Sequence, residues 1–224
     1  MKLEGLKINF LGDSITEGTG VLDVKGNRYD NILARECGII NNNYGIGGTR
    51  LAHQSVPSEK PRHDLCFAGR AYNMDKNADV IIVYGGINDY IHGDAPIGND
   101  TDATPATFKG AVRFLMNLLK SEYPLAKIAF MTPARCFIRR ELSSLEPSRR
   151  AGKKADAKPV KFYVDVIKNT AGELGIPVLD LYDRLGIDPN VPEDYEKYTA
   201  DGLHFNDAGH RVIADRLKEF LETL

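Results

Sequence analysis

The sequence predicts a three-layer α/β domain built on a five-stranded parallel sheet, and three observations carry that expectation. Five short apolar runs recur along the 224 residues. They are not strictly alternating, as suits strands covered on both faces. Segments with helical spacing separate them, and this alternation of strand and helix is the pattern of a layered α/β fold. A chain of this length suits one domain, residues 1–224, with a substantial core; it carries no internal repeat and no linker-like break.

Taken in order, the strands are expected over residues 7–11, 38–42, 80–84, 127–131 and 177–181. A short helix is expected over 28–36. A second, over 108–120, places Val112, Leu115, Met116 and Leu119 on one face, and Pro105 and Thr107 suit its start. A third spans 160–174, where Gly175 and Pro177 punctuate its end. The last, over 207–224, turns Val212, Ile213, Leu217 and Phe220 inward. One stretch breaks the rhythm. Residues 134–158 carry eight Lys/Arg against three Asp/Glu, a local excess of +5. It reads as a solvated surface insertion or as a lid over the site.

Composition narrows the class. With 42% apolar and 27% charged residues the chain is globular, and its net charge of −2 gives no reason to expect nucleic acid as a partner. No stretch is long and apolar enough to span a bilayer, and the amino-terminal residues lack a signal-peptide pattern. Cys37, Cys66 and Cys136 are odd in number and widely spaced, which suits reduced, mostly buried thiols and a cytoplasmic location.

Four fragments carry chemistry, and three of them follow the first three strands, where ligands of open α/β sheets bind. Gly12-Asp13-Ser14 places a serine where a strand enters a helix. A serine hydroxyl needs a base to take its proton. His204 is the best candidate, and Asp201, three residues earlier, can hold its other ring nitrogen. Ester cleavage also needs donors for a developing oxyanion. Candidates are the backbone N–H of Gly47 in Gly45-Ile46-Gly47-Gly48, the side-chain amide of Asn88 in Gly85-Gly86-Ile87-Asn88-Asp89, and the Ser14 N–H. Neither glycine cluster matches a dinucleotide or Walker fingerprint. Arg50, Tyr90, His92 and Arg135 are candidate substrate-lining residues. His210 reads as structural.

Together the fragments resemble the SGNH hydrolases, the GDSL esterase/lipase superfamily. Gly12-Asp13-Ser14-Ile15, Gly45–Gly48, Gly86-Ile87-Asn88-Asp89 and Asp201-Gly202-Leu203-His204 match its four blocks in order, with Ile15 where many members have leucine. The resemblance implies a flavodoxin-like α/β/α sandwich. It implies Ser14 as nucleophile, His204 as base and Asp201 as its partner, with Ser14, Gly47 and Asn88 as oxyanion hole, and no metal or organic cofactor. The expected function is hydrolysis of small acyl esters, acetyl esters first, through an acyl-enzyme, with acetylated carbohydrates as one candidate substrate and the natural substrate left open. A lysophospholipase or thioesterase with the same triad is a second reading; a phosphate- or flavin-binding module is a third. The substrate expected is a small-molecule acyl ester, and the oligomeric state is left open.

Overall fold

The structure, a computed structural model, describes residues 1–137 and 158–224. Its strands are β1 (Lys7–Gly12), β2 (Ile40–Gly45), β3 (Val80–Tyr84), β4 (Lys127–Met131) and β5 (Val178–Leu179). They form one parallel sheet in the order β2-β1-β3-β4-β5. This is the flavodoxin-like order, and the chain reverses its direction of winding between β1 and β3.

Side chains leave each strand alternately, so one run of apolar residues feeds two cores. Ile8, Phe10, Val80, Ile82 and Tyr84 face α3 (Tyr29–Cys37) and the carboxyl-terminal helix α10 (Asp207–Thr223). Leu11, Ile81, Val83, Ile128 and Phe130 face α4 (Phe67–Ala71), α6 (Phe108–Glu122) and α7 (Val160–Leu174). Every one of these strand residues is buried. At about 25 cal/mol per Å² of apolar surface removed from water, this double burial is the main reason the layers hold. Five short helices and one 3-10 turn complete the described elements: α1 (Ser14–Glu17), α2 (Val24–Asn27), α5 (Ile87–His92), α8 (Leu181–Arg184) and α9 (Pro192–Tyr198), with the turn at Pro61–Asp64.

Local chemistry sets the boundaries. Thr107 caps α6 by accepting from the Gly110 N–H at 3.1 Å, and Asn206 caps α10 by accepting from Gly209 at 3.1 Å. Gly175, at φ +66°, closes α7 in the left-handed conformation. Two strands differ from expectation. β2 begins two residues later than residue 38, because Gly38, at φ +69°, still terminates α3. It then runs on through Asn41, Asn42 and Asn43, whose amides bond Asp30, Asn9 and the Thr16 carbonyl. β5 is cut short because Asp180 turns to cap α8, accepting from Asp183 N–H at 3.2 Å. In α10 Ile213 and Leu217 are buried as expected, whereas Val212 and Phe220 are only partly so.

The three cysteines are free and partly buried, not mostly buried: Cys37 ends α3, Cys66 precedes α4, and Cys136 follows β4. Burial pushes the Cys136 thiol up to about 12, which disfavours its thiolate. The expected basic insertion falls outside the described residues except at its ends, 134–137 and 158. Among the described residues no helix is long and apolar enough to cross a membrane.

The end of β2 packs directly on α1. A Cβ on Gly45 would lie 2.3 Å from the Glu17 nitrogen and 2.6 Å from the Thr16 carbonyl carbon, both backbone atoms that cannot swing aside. Gly45→Ala is therefore expected to destabilise the protein by about 1–3 kcal/mol through overpacking. Chemical denaturation compared with the parent protein checks it; an unchanged midpoint would contradict the packing.

Candidate active site

Ser14 is the first residue of α1, immediately beyond the end of β1. Asp13 caps that helix, its Oδ1 accepting from the Ile15 N–H at 3.1 Å. A Cβ on Gly12 would lie 1.9 Å from Thr16 Oγ1, so the helix can fold back on the strand end only with glycine there. After Glu17 the chain turns at Gly18, φ +102°, and at Gly20, φ +93°. A Cβ on Gly20 would come 3.1 Å from His204 Cβ. This tight turn brings the serine helix against the loop near the other end of the chain.

That loop is shaped by its own polar groups. Asp201 Oδ1 accepts from the backbone N–H groups of Leu203 at 3.0 Å and His204 at 2.7 Å. Its Oδ2 lies 2.7 Å from His204 Nδ1. Burial works against the charge on Asp201, but the imidazole and the two backbone donors outweigh it and hold the carboxyl down at about 2. The Thr199–Phe205 bridge closes the loop, and the Phe137 N–H donates to Gly202 O at 2.8 Å. His204 Nε2 reaches Ser14 Oγ at 3.0 Å, inside the 2.6–3.2 Å reach expected of a nucleophile and its base. Because Nδ1 faces a carboxylate it carries the ring proton, which leaves Nε2 to accept from the serine hydroxyl.

The expected oxyanion donors are also nearby, with a difference. A Cβ on Gly47 would sit 3.4 Å from Ser14 Cβ, so this loop does border the serine. Its N–H is not open, however: it donates to Glu17 Oε2 at 2.8 Å. Arg62 holds the same carboxylate at 2.6 Å through Oε1, which keeps Glu17 over the Gly47 amide. Asn88, 4% exposed in the first turn of α5, donates through Nδ2 to Thr49 O at 3.0 Å. Among the described residues no partner takes its second amide hydrogen.

The four expected lining residues fare differently. Arg50 is buried rather than lining a pocket. Its Nη2 donates to Ser58 Oγ and Asp64 Oδ1, and its Nη1 lies 3.0 Å from His92 Nδ1. His92 borders the site through Asn88, its Nε2 2.9 Å from Asn88 Oδ1. Tyr90 is turned into the core and meets Tyr163 edge-on at 5.7 Å, because it lies on the face of α5 opposite to solvent. Arg135 points to α8 instead, where it lies over the Tyr182 ring and faces Asp183 and Asp188. His210, read as structural, is fully buried; its Nδ1 accepts from the Tyr29 N–H at 3.2 Å.

Four further residues shape the site: Asp13 and Asp89 lie within the motif blocks, whereas Arg70 and His63 carry no local sequence signal. Arg70 donates to Gly12 O at 3.0 Å, to Tyr44 O and to Thr49 Oγ1 at 2.9 Å, tying together the ends of β1 and β2 and the following loop. Burial lowers its guanidinium to about 10. Asp89 accepts from the Leu51 and Ala52 N–H groups at 2.9 and 3.0 Å, which fixes the loop after Gly48. His63 stands over Gly48, where a Cβ would come within 2.5 Å of its ring. Burial pushes Asp13 up to about 7, with His204 and Arg70 pulling the other way.

A flavodoxin-like sheet with an Asp–His pair addressing a serine at its switch point defines a class, that of α/β acyl hydrolases. The profile of the GDSL-like lipase/acylhydrolase family matches residues 10–212, and the chain belongs to this family. No curated protein matches the chain. Among solved structures, a protein from Lactobacillus plantarum is 29% identical, with a TM-score of 0.82 over 99% of this chain and 98% of its own. A lipase/acylhydrolase from Enterococcus faecalis, 22% identical, has a TM-score of 0.61 over 97% and 96% of the two chains. An acetyl xylan esterase, also 22% identical, has a TM-score of 0.62 over 96% and 100%. The last two likenesses are likenesses of fold.

Proposed function

We propose that the protein is a serine esterase that cleaves small acyl esters, acetyl esters of carbohydrates in particular, through an acyl-enzyme. One observation carries the reading: Ser14, His204 and Asp201 stand in line at 3.0 and 2.7 Å. In the first step Ser14 Oγ attacks the ester carbonyl while His204 Nε2 takes its proton. Asp201 stabilises the imidazolium that forms. The tetrahedral intermediate expels the alcohol, which leaves with the proton from His204. Water then attacks the acyl carbon while His204 takes its proton, and as the second tetrahedral intermediate breaks the acyl–Oγ bond His204 returns the proton to Ser14 Oγ and the acid leaves.

The oxyanion that appears in both halves needs fixed donors where charge develops. The remaining Asn88 amide hydrogen and the Ser14 N–H supply two in this arrangement. The Gly47 N–H becomes the third when the substrate oxygen takes the place of the Glu17 carboxylate oxygen. Asn88→Ala is expected to lower kcat/KM by about 10²- to 10³-fold, about 3–4 kcal/mol, mostly in kcat. Steady-state kinetics on an aryl acetate checks this, and a loss confined to KM would argue against the donor role.

The preference for short acyl groups is supported by the polar side chains on the Gly47 side of Ser14, namely Glu17, Arg62 and His63. The test combines labelling and a substrate series. A fluorophosphonate should modify Ser14, seen by peptide mass spectrometry, and aryl-ester hydrolysis should peak at two to four carbons (on the order of one short acyl chain). No label on Ser14 would sink the nucleophile. A peak at eight carbons or beyond would shift the reading to the lysophospholipase or thioesterase type.

A further inference from the structure

Resting on the esterase reading above, we infer that His92 is a positioning residue: it orients the Asn88 amide towards the oxyanion, and buried Arg50 selects the tautomer in which it does so. Both residues were expected to line the substrate. Their hydrogen bonds assign them to the layer behind Asn88 instead.

The inference follows from which atoms can donate. A guanidinium has five N–H donors and no acceptor. Arg50 Nη1 lies 3.0 Å from His92 Nδ1, so that nitrogen must accept and carries no proton. The ring proton is then on Nε2, which lies 2.9 Å from Asn88 Oδ1 and donates to it. Asn88 is thereby oriented from both ends. Its Oδ1 faces the His92 N–H, and its Nδ2 faces the Thr49 carbonyl, which can only accept. Rotating the amide by 180° would set donor against donor at His92 and oxygen against oxygen at Thr49. With both ends fixed, the second amide hydrogen is kept available for the substrate oxygen, the state an oxyanion donor must hold before reaction.

Arg50 cannot readily leave this position. Its side chain is 5% exposed, and Nη2 is held by Ser58 Oγ at 2.6 Å and Asp64 Oδ1 at 2.8 Å. Asp64 is in turn fixed by the Ser58 N–H at 2.8 Å. The helix supplies the other alignment, since Asn88 and His92 are four residues apart in α5 and share one face. A rail of Asp64, Arg50, His92 and Asn88 thus runs from the surface to the reacting centre. A histidine serving only to pack α5 would not require its two nitrogens to be assigned in this way.

The test is a double-mutant cycle on the full chain with an aryl acetate, reading kcat and KM separately. His92→Ala should lower kcat about 10- to 100-fold, the scale of a mispositioned catalytic group, with KM within about twofold. His92→Gln, whose amide nitrogen reaches the Nε2 position, should recover most of the loss. In an Asn88→Ala background, His92→Ala should change kcat by less than about twofold, because the residue it acts through is gone. Losses that multiply in the double variant would overturn the inference, as would a wild-type kcat for His92→Ala or a Gln variant as slow as the Ala one. Full activity in Ser14→Ala and Asn88→Ala would instead overturn the esterase reading beneath it.

Discussion

Ser14→Ala is expected to lower kcat/KM by about 10⁴- to 10⁶-fold, about 5–8 kcal/mol of transition-state stabilisation, while leaving the fold intact. The hydroxyl bonds His204 at 3.0 Å and lies in a site whose backbone is fixed by Asp13, Arg70 and the Gly18 turn. Its removal therefore deletes the proposed nucleophile and little packing. His204→Ala should fall as far, and the Ser14→Ala, His204→Ala double variant should be little slower than either single one. Groups that act as one unit do not add. Burst kinetics and thermal melts on the same samples provide the check. A Ser14→Ala protein with near-full activity would remove the proposed mechanism altogether.

The second large effect is one of stability against pH, and it involves two buried groups that oppose each other. Burial raises Asp13 from an ordinary 3.8 to about 7. Between those values the unfolded chain has released a proton that the folded chain retains, so stability falls as pH rises, by about 4 kcal/mol over the window. Burial lowers His210 from 6.5 to about 4. There the unfolded chain binds a proton that the folded chain does not, so stability falls as pH drops, by about 3 kcal/mol. Between about pH 4 and 6.5 the two slopes largely cancel. Asp201, held at about 2, acts only below this range.

Asp13→Asn keeps an oxygen to cap Ile15 and removes one slope. The variant should be more stable than the parent by up to about 4 kcal/mol at pH 8, and should lose stability on acidification from 6.5 to 4. His210→Asn should show the reverse trend, whatever it costs in packing. Urea unfolding across pH 4–8 measures both. An Asp13→Asn curve running parallel to that of the parent would refute the assignment.

The strands of the sheet interior were the most legible part of the chain. β3 and β4 fall on the residues expected, since a strand buried on both faces must be a continuous apolar run. The edges were not, because there the local signal competes with caps and side-chain bonds. At β2 the expected strand takes in Asn41 and Asn42 but stops before Asn43, whose amide bonds the Thr16 carbonyl. Short α2, α4, α5, α8 and α9 carry no such local signal, because four to seven residues hold too little periodicity, whereas α1 starts at Ser14, where the strand is expected to enter a helix.

The site divides in the same way. The Asp201–His204 pair was readable because three residues within one loop suffice to make it. The bond from Glu17 to the Gly47 N–H spans 30 residues, and that from Arg70 to Gly12 spans 58. Neither is written in any local pattern. Tyr90 and Arg135 were misplaced for a related reason: proximity in sequence to a motif does not say which side of a helix or loop a side chain leaves.

Ser14 and His204 are separated by 190 residues and are brought together by the packing of α10 on α2 and α3, by the bonds of Asp207 to Leu22 and Asn27, and by Gly20 against the histidine loop. During synthesis the serine, the glycine loop and Asn88 are therefore made long before their base. Under the proposed mechanism, a chain still emerging from the ribosome holds a hydroxyl without its base until His204 has been made and its loop has docked on α1. Recovery of activity after dilution from denaturant should for this reason report completed folding rather than its early stages.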